Sequence, residues 1–231
     1  MNRRPRLRVI SDFRPDVRLL FDPAGFGATE LPRSFFRRET EQVARDLLGV
    51  WLAHRLDGRW YGARIVETEA YLGAVDPAAH SWRGRRTPRV EPMYQDGGTL
   101  YVFFVYGMHH CANVVTRPPG VAEAVLLRAA EGPAGSPVKL LSGPGRLCAA
   151  LGISARHSGY DLLAGGDLCL FRTRTPRPRV GTSARIGVDY AGKARHWPLR
   201  FFDLGSPAVS GPVRLRREAQ ESREASKPCS I

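Results

Sequence analysis

The sequence predicts one α+β domain around a curved, mostly antiparallel β-sheet with flanking helices. Three observations carry this reading. The 231 residues, 43% of them apolar, can bury a sizeable core and suit one domain better than two. Short apolar strands outnumber helical patterns, and no strand–helix–strand rhythm repeats, which disfavours a parallel sheet. Asp57-Gly58 sits between two strand-like runs, and Asp-Gly tolerates the positive φ of a tight hairpin turn.

The elements follow in order. Residues 1–32, rich in Pro, Arg and Gly, read as a mostly irregular basic arm, 33–212 as the domain and 213–231 as a charged tail expected to fray. Glu39 to Leu48 reads as a helix: Val43, Ala44, Leu47 and Leu48 share a face, Glu39 and Glu41 suit the N-terminal dipole, and Gly49 can stop it. Val50 to Leu56 and Arg59 to Glu69 read as the hairpin strands. Residues 73–98 form a long loop with Gly, Pro and several arginines, and such a loop in a compact domain is usually functional or disordered. Leu100 to Val105 is a strongly apolar strand ended by Tyr106-Gly107. His110 to Thr116 and Ala124 to Ala130 are further strands, and Pro144 to Leu151 is a helix with Gly152 as its cap. Short strands are expected near Leu168–Arg172, Arg185–Val188 and Leu199–Asp203.

Charge narrows the partner. A formal net charge of +13 points to a polyanion, nucleic acid first, with solvated surface charge as the bland alternative. Of the 35 basic residues only Lys139, Lys193 and Lys227 are lysines. Arginine makes planar, bidentate phosphate contacts, although codon bias explains most of the excess. Arg174 to Arg179, with alternating Thr, Pro and Arg, reads equally as a solvated linker or a phosphate contact. Cys111, Cys148, Cys169 and Cys229 form no CxxC pair, which disfavours a zinc site and suits thiols in a reducing compartment. No apolar run approaches the ~18–20 residues of a membrane span. The basic start lacks an apolar segment, so it reads as a disordered, phosphate-attracted arm rather than a secretory signal. Asp12 and Asp16 disfavour a transit peptide.

The chemistry concentrates after the first hairpin. In an extended segment Glu67, Glu69 and Tyr71 have the same parity and share one face of the sheet. The alternative is a solvent-facing pair on an amphipathic strand. Tyr71, His80 and Phe103 could line a slot for a flat π-system such as a nucleobase. Taken alone, Phe103 reads as core and His80 as an ordinary surface or hydrogen-bonded histidine. Tyr106, beside Gly107, would project at a turn, where an aromatic suits insertion into a base stack; a buried turn tyrosine is the alternative. Arg83, Arg85, Arg86 and Arg89 crowd the loop after His80 and could hold phosphates.

Together these residues resemble the 3-methyladenine DNA glycosylase family, the alkyladenine type. The matching motifs are Arg64-Ile65-Val66-Glu67-Thr68-Glu69-Ala70-Tyr71-Leu72-Gly73, Ala79-His80-Ser81, Arg86-Thr87-Pro88-Arg89, Thr99 to Phe103 with Tyr106-Gly107-Met108, Cys111-Ala112-Asn113 and Val125 to Ala129. Ser142-Gly143-Pro144, Leu147-Cys148, Arg185-Ile186-Gly187-Val188, Ala191-Gly192 and Pro198-Leu199-Arg200-Phe201 fit as well. The resemblance runs from about residue 33 to about residue 210, and so many motifs in order are far more specific than any one alone.

The resemblance implies a monofunctional base-excision enzyme on one mixed domain, with no metal or organic cofactor. Such an enzyme flips a damaged purine from duplex DNA and hydrolyses its N-glycosidic bond. It implies Glu69 as the general base for water, positioned with Arg128 and the Ile186 carbonyl. Tyr71 and His80 would sandwich the flipped base, Phe103 would complete the slot, and the His80 backbone N–H would read the base edge. Asn113 would crowd the amino group of normal guanine, and Tyr106 would fill the gap in the duplex. The expected partner is double-stranded DNA with a damaged purine, bound by a monomer with no membrane association. The location would be the cytoplasm with the bacterial nucleoid, or the nucleus of a eukaryote. No lysine precedes Lys139, which favours water over an amine nucleophile and an abasic site as product. The family often has tyrosine at the Phe103 position, and the mammalian form has tyrosine at the His109 position, which leaves lesion preference open. The rivals are a non-catalytic damage-recognition protein on the same fold and, more distantly, an RNA-binding or carbohydrate-active protein.

Overall fold

A computed structural model describes residues 13–105 and 107–211. A two-residue strand, β1 (Thr29–Glu30), precedes two short helices, α1 (Arg33–Phe36) and α2 (Thr40–Asp46). The hairpin β2 (Trp51–Leu56) and β3 (Arg59–Tyr71) follows, then β4 (Thr99–Val105), β5 (His109–Thr116) and β6 (Glu123–Glu131). Helix α3 (Pro144–Ala150) leads to β7 (Tyr160–Asp161), β8 (Leu168–Arg172), β9 (Val180–Ser183) and β10 (Arg200–Asp203). Among the described residues, no helix is long and apolar enough to cross a membrane.

Every strand pair is antiparallel, and the path runs β1-β8-β2-β3-β6-β5-β4-β7. β3 is the hub because it is longer than its neighbours. Its first half pairs with β2 and its second half with β10, while β6 runs along its other edge. The whole is an α+β domain on an antiparallel sheet, as the strand-rich pattern implied.

Local chemistry explains the elements. Asp57 and Gly58 have φ of 49° and 76°, the two positive values a tight hairpin turn needs. In α2 the buried face is Thr40, Val43 and Ala44, with Leu47 as the cap. Pro144 opens α3, where its fixed φ is pre-organised and its missing N–H costs nothing. The main core gathers Ile65, Leu100, Val114, Leu127 and Leu147, each with no exposed surface. Burying such an aliphatic side chain stabilises by about 1.5–3 kcal/mol.

Two expectations meet a different structure. Residues 17–31, read as part of the basic arm, hold on to the domain: Leu19 joins the main core and Phe21 stacks on Trp51 at 4.6 Å. Arg185–Val188 is not a strand but a bend between β9 and a 3-10 segment. The cause is the buried ion pair of Arg185 with Asp76 and the bond from Ile186 N–H to Glu69, which direct this backbone away from a ladder. The arm's residues 1–12, Tyr106 and the tail from residue 212 lie outside the described residues.

Candidate active site

The site begins with two compensating irregularities in the β3–β6 ladder. Ile65 faces Ala130 and Glu67 faces Ala129, so Val66 is extra on β3; Thr68 then faces Leu127, so Arg128 is extra on β6. A bulge bends its strand and re-aims the side chain it carries. Here the Arg128 side chain reaches both acids of β3. Its Nε donates to Glu67 Oε1 at 3.0 Å, and its Nη1 lies 3.3 Å from Glu69 Oε1.

Glu69 has no exposed surface, so each carboxylate oxygen needs a donor. Ile186 N–H donates to Oε1 at 2.8 Å and Tyr71 Oη–H to Oε2 at 2.9 Å. Glu67 is equally buried but has other partners. Arg200 Nε donates to Oε1 at 2.6 Å, and Ser210 N–H to Oε2 at 2.6 Å. Glu67, Glu69 and Tyr71 thus share one side of the strand, as their parity predicted, and that side faces protein rather than solvent.

In front of this layer lies a cavity of about 670 Å³, lined by Tyr71, His80, Phe103, Asn113, Arg128 and Ile186 among others. Six residues singled out from the sequence therefore converge on one space, with Glu69 held just behind it by three of them. Several of the lining side chains are aromatic. The His80 ring meets Phe103 edge-on, with centroids 4.5 Å apart, and its Nδ1 is 2.8 Å from Tyr101 Oη. The Arg185 guanidinium lies 4.7 Å from the centroid of the Tyr71 ring, which also lines the cavity, and its Nη2 donates to Asp76 Oδ1 at 2.8 Å. Asp76 also accepts the N–H groups of Leu72 and Ala78. One buried carboxylate thereby ties the turn after β3 to the bend that carries Ile186. Asn113 Nδ2 donates to the Tyr101 carbonyl at 3.1 Å, which fixes the amide at the cavity floor.

Electrostatics divides the cavity in two. Burial, with Arg89 and Arg85 nearby, pushes His80 down to about 4, so at neutral pH it presents an uncharged ring. Burial and the neighbouring Glu69 carboxylate hold the Tyr71 phenol well above its usual range, so it remains a donor. Burial works against the charge of Arg128, yet Glu69 and Glu67 together keep it more basic than an ordinary arginine. The result is a pair of uncharged rings, Tyr71 and His80, together with an ionic layer of Glu67, Glu69 and Arg128.

The loop arginines are on the surface. Arg83 and Arg85 are exposed, Arg83 has a φ of 57° and stacks on Trp82, and Arg86 pairs with Glu91 at 2.6 Å. Arg89 is exposed yet lies 5.6 Å from the Phe103 ring centroid, at the cavity edge. Lys139 and Lys193 are exposed and do not line the cavity, and Lys227 lies outside the described residues. Sequence reasoning missed several lining or supporting residues. Arg146 and Tyr190 line the cavity, and Tyr101, Asp76, Arg200 and Ser210 hold its walls. Only the parity of Tyr101 with Phe103 on one strand gave a local signal.

Comparison with known proteins identifies the family. The family model described as methylpurine-DNA glycosylase matches residues 34–207. A protein of Desulfitobacterium hafniense is 45% identical over 199 residues, which cover 78% of this chain and 98% of its own length. One of Bdellovibrio bacteriovorus is 44% identical over 180 residues, 74% of this chain and 94% of its own. One of Anaeromyxobacter dehalogenans is 46% identical over 183 residues, 79% of this chain and 86% of its own. All three bear the name "Putative 3-methyladenine DNA glycosylase". The chain therefore belongs to the methylpurine-DNA glycosylase family, the glycosidic-bond hydrolases of base-excision repair.

Proposed function

We propose that this protein acts as a monomer that flips an alkylated or deaminated purine out of duplex DNA and hydrolyses its N-glycosidic bond with a Glu69-activated water. The observation that carries the reading is a fully buried carboxylate fixed by Tyr71, Ile186 and Arg128 at the back of an aromatic cavity. The flipped base stacks between Tyr71 and His80, with Phe103 closing the slot, and the His80 backbone N–H reads its edge. Asn113 crowds the amino group of normal guanine. Flipping costs a few kcal/mol, least for a damaged base, and Tyr106 offsets part of that by filling the gap. Arg83, Arg85, Arg86 and Arg89 hold phosphates and set the register on the duplex.

In the chemical step the bond from C1′ to the purine breaks, and its electron pair leaves with the base. The water oxygen bonds to C1′, and its proton passes to Glu69. The Glu69 carboxylate also stabilises the positive charge that develops on the sugar. Arg128 and the Ile186 carbonyl position the water. A cationic alkylpurine leaves without acid help, and the uncharged His80 ring does not repel it.

The test is Glu69→Gln, assayed by single-turnover release of a methylated purine from a defined duplex. The expected variant binds the lesion as tightly as the parent and releases no base. Release at the parental rate would sink the mechanism, and a parental protein that binds lesions without releasing them would be a recognition protein instead.

A further inference from the structure

The charges behind Glu69 form a balanced set of two acids and two guanidiniums. Glu67 Oε1 accepts from Arg200 Nε at 2.6 Å and from Arg128 Nε at 3.0 Å, and Arg128 reaches Glu69 at 3.3 Å. Arg200 has no exposed surface and is fixed at its other nitrogens. Nη1 donates to Ser183 Oγ at 2.9 Å and Nη2 to the Ser210 carbonyl at 2.8 Å. Ser210 closes the set from behind: its N–H donates to Glu67, and its Oγ accepts from Arg128 Nη2 at 3.3 Å. Of the two guanidiniums on Glu67, Arg200 is thus the nearer, and neither Glu67 nor Arg200 lines the cavity.

We infer that Glu67 and Arg200 are positioning residues, which set how much of the Arg128 charge reaches Glu69 and so set the basicity of the reacting carboxylate. The inference rests on the reading of Glu69 as the base. The physical reason is competition for one cation. Glu67 and Glu69 share Arg128, and in a buried site unscreened by solvent that sharing is strong. Arg200 satisfies Glu67 from the far side, so Glu67 aims Arg128 without monopolising it. Removing the Glu67 charge leaves excess positive charge beside Glu69, which favours its ionised form. Removing the Arg200 charge makes Glu67 draw on Arg128 alone, which favours protonated Glu69. The two losses therefore act in opposite directions.

The other groups facing Glu69 do not blur this signal. They are Tyr71 on its own strand, Cys111 on β5 and Arg185 in the bend after β9. Burial pushes the Cys111 thiol up to about 11 and keeps the phenol above its normal range, so neither titrates in acid. Arg185 is committed to Asp76.

The experiment follows single-turnover release of a cationic N-methylpurine against pH, because that leaving group needs no acid and the acid limb then reports the base alone. Glu67→Gln should move the limb to lower pH and Arg200→Met to higher pH, each by about one unit. The double variant, balanced again, should bring the limb back toward the parental position. Lesion affinity should stay within about threefold throughout, because no group facing the base changes. Arg200→Lys, which keeps the charge, should leave the limb in place even where the singly uncharged variants fold poorly. Limbs that move in the same direction, do not move, or move in Arg200→Lys as for charge loss overturn the inference. A Glu69→Gln variant that still releases base overturns instead the reading on which it rests.

Discussion

The Tyr71 phenol donates its hydrogen bond to Glu69 Oε2 at 2.9 Å, so one residue is both a wall of the aromatic cavity and a ligand of the buried carboxylate. The two roles can be separated. Tyr71→Phe keeps the ring and removes a hydrogen bond to a charged group, which is worth about 1.5–3 kcal/mol. Base release should slow by about tenfold or more, with lesion affinity within about threefold. Single-turnover rates and equilibrium titration of the same duplex separate these terms. A variant that loses affinity but not rate would assign the hydroxyl to base contact.

The tie between Asp76 and Arg185 has no exposed side-chain surface on either partner. Breaking such a pair from one side leaves an unpaired buried charge, at a cost of about 3–5 kcal/mol. Asp76→Asn should lower the urea midpoint accordingly. It should also slow base release, since Arg185 backs the Tyr71 ring and the adjoining Ile186 N–H holds Glu69. A loss below about 1 kcal/mol in the same titration would show that the pair is screened or readily replaced.

These two predictions rest on contacts of different legibility. The same-side placement of Glu67, Glu69 and Tyr71 follows from strand parity, and the turn at Asp57-Gly58 from residue type. The longer strands follow from short apolar runs, whereas β1, β7 and β9, each of two to four residues, carry no such run and are not legible in the sequence. The Arg185–Val188 bend could not be read. Its alternating apolar residues suggest a strand, and the partner that overrides the pattern, Asp76, is 109 positions away. The bulge at Arg128 leaves no local trace either, because it is a mismatch between two strands rather than a property of one. Ser210 reaches Glu67 across 143 positions. What local pattern misses here is the supporting layer, whose residues look like ordinary sheet and loop until the chain closes over them.

Acid should weaken the fold through His157. This residue has no exposed surface, its ring meets that of His54 edge-on at 5.3 Å, and burial pushes it from 6.5 down to about 4. Between those values the unfolded chain binds a proton that the folded chain refuses. The stability is therefore complete above about pH 6.5 and is lost as pH falls toward about 4, by roughly 1–3 kcal/mol. Burial pushes His54 down as well, so it acts in the same sense. Urea midpoints across this range should show the decline, and His157→Gln should flatten it while lowering stability at neutral pH. An equally steep decline in that variant would move the cause to other groups.

The nucleophile can be tested through the scarcity of lysine. A lyase-type glycosylase needs an amine at C1′ to form a Schiff base, which leads on to strand cleavage. Lys139 and Lys193 are exposed and outside the cavity lining, whereas Glu69 lies directly behind it. The cavity therefore offers a carboxylate for water and no amine from either of these residues. Incubation with a lesion duplex and borohydride should trap no protein–DNA adduct. The product strand should run intact on a denaturing gel until alkali cleaves it at the abasic site. An adduct that survives denaturation, or strand cleavage before alkali, would require an amine nucleophile and would overturn the proposed role of Glu69 as the base that activates water.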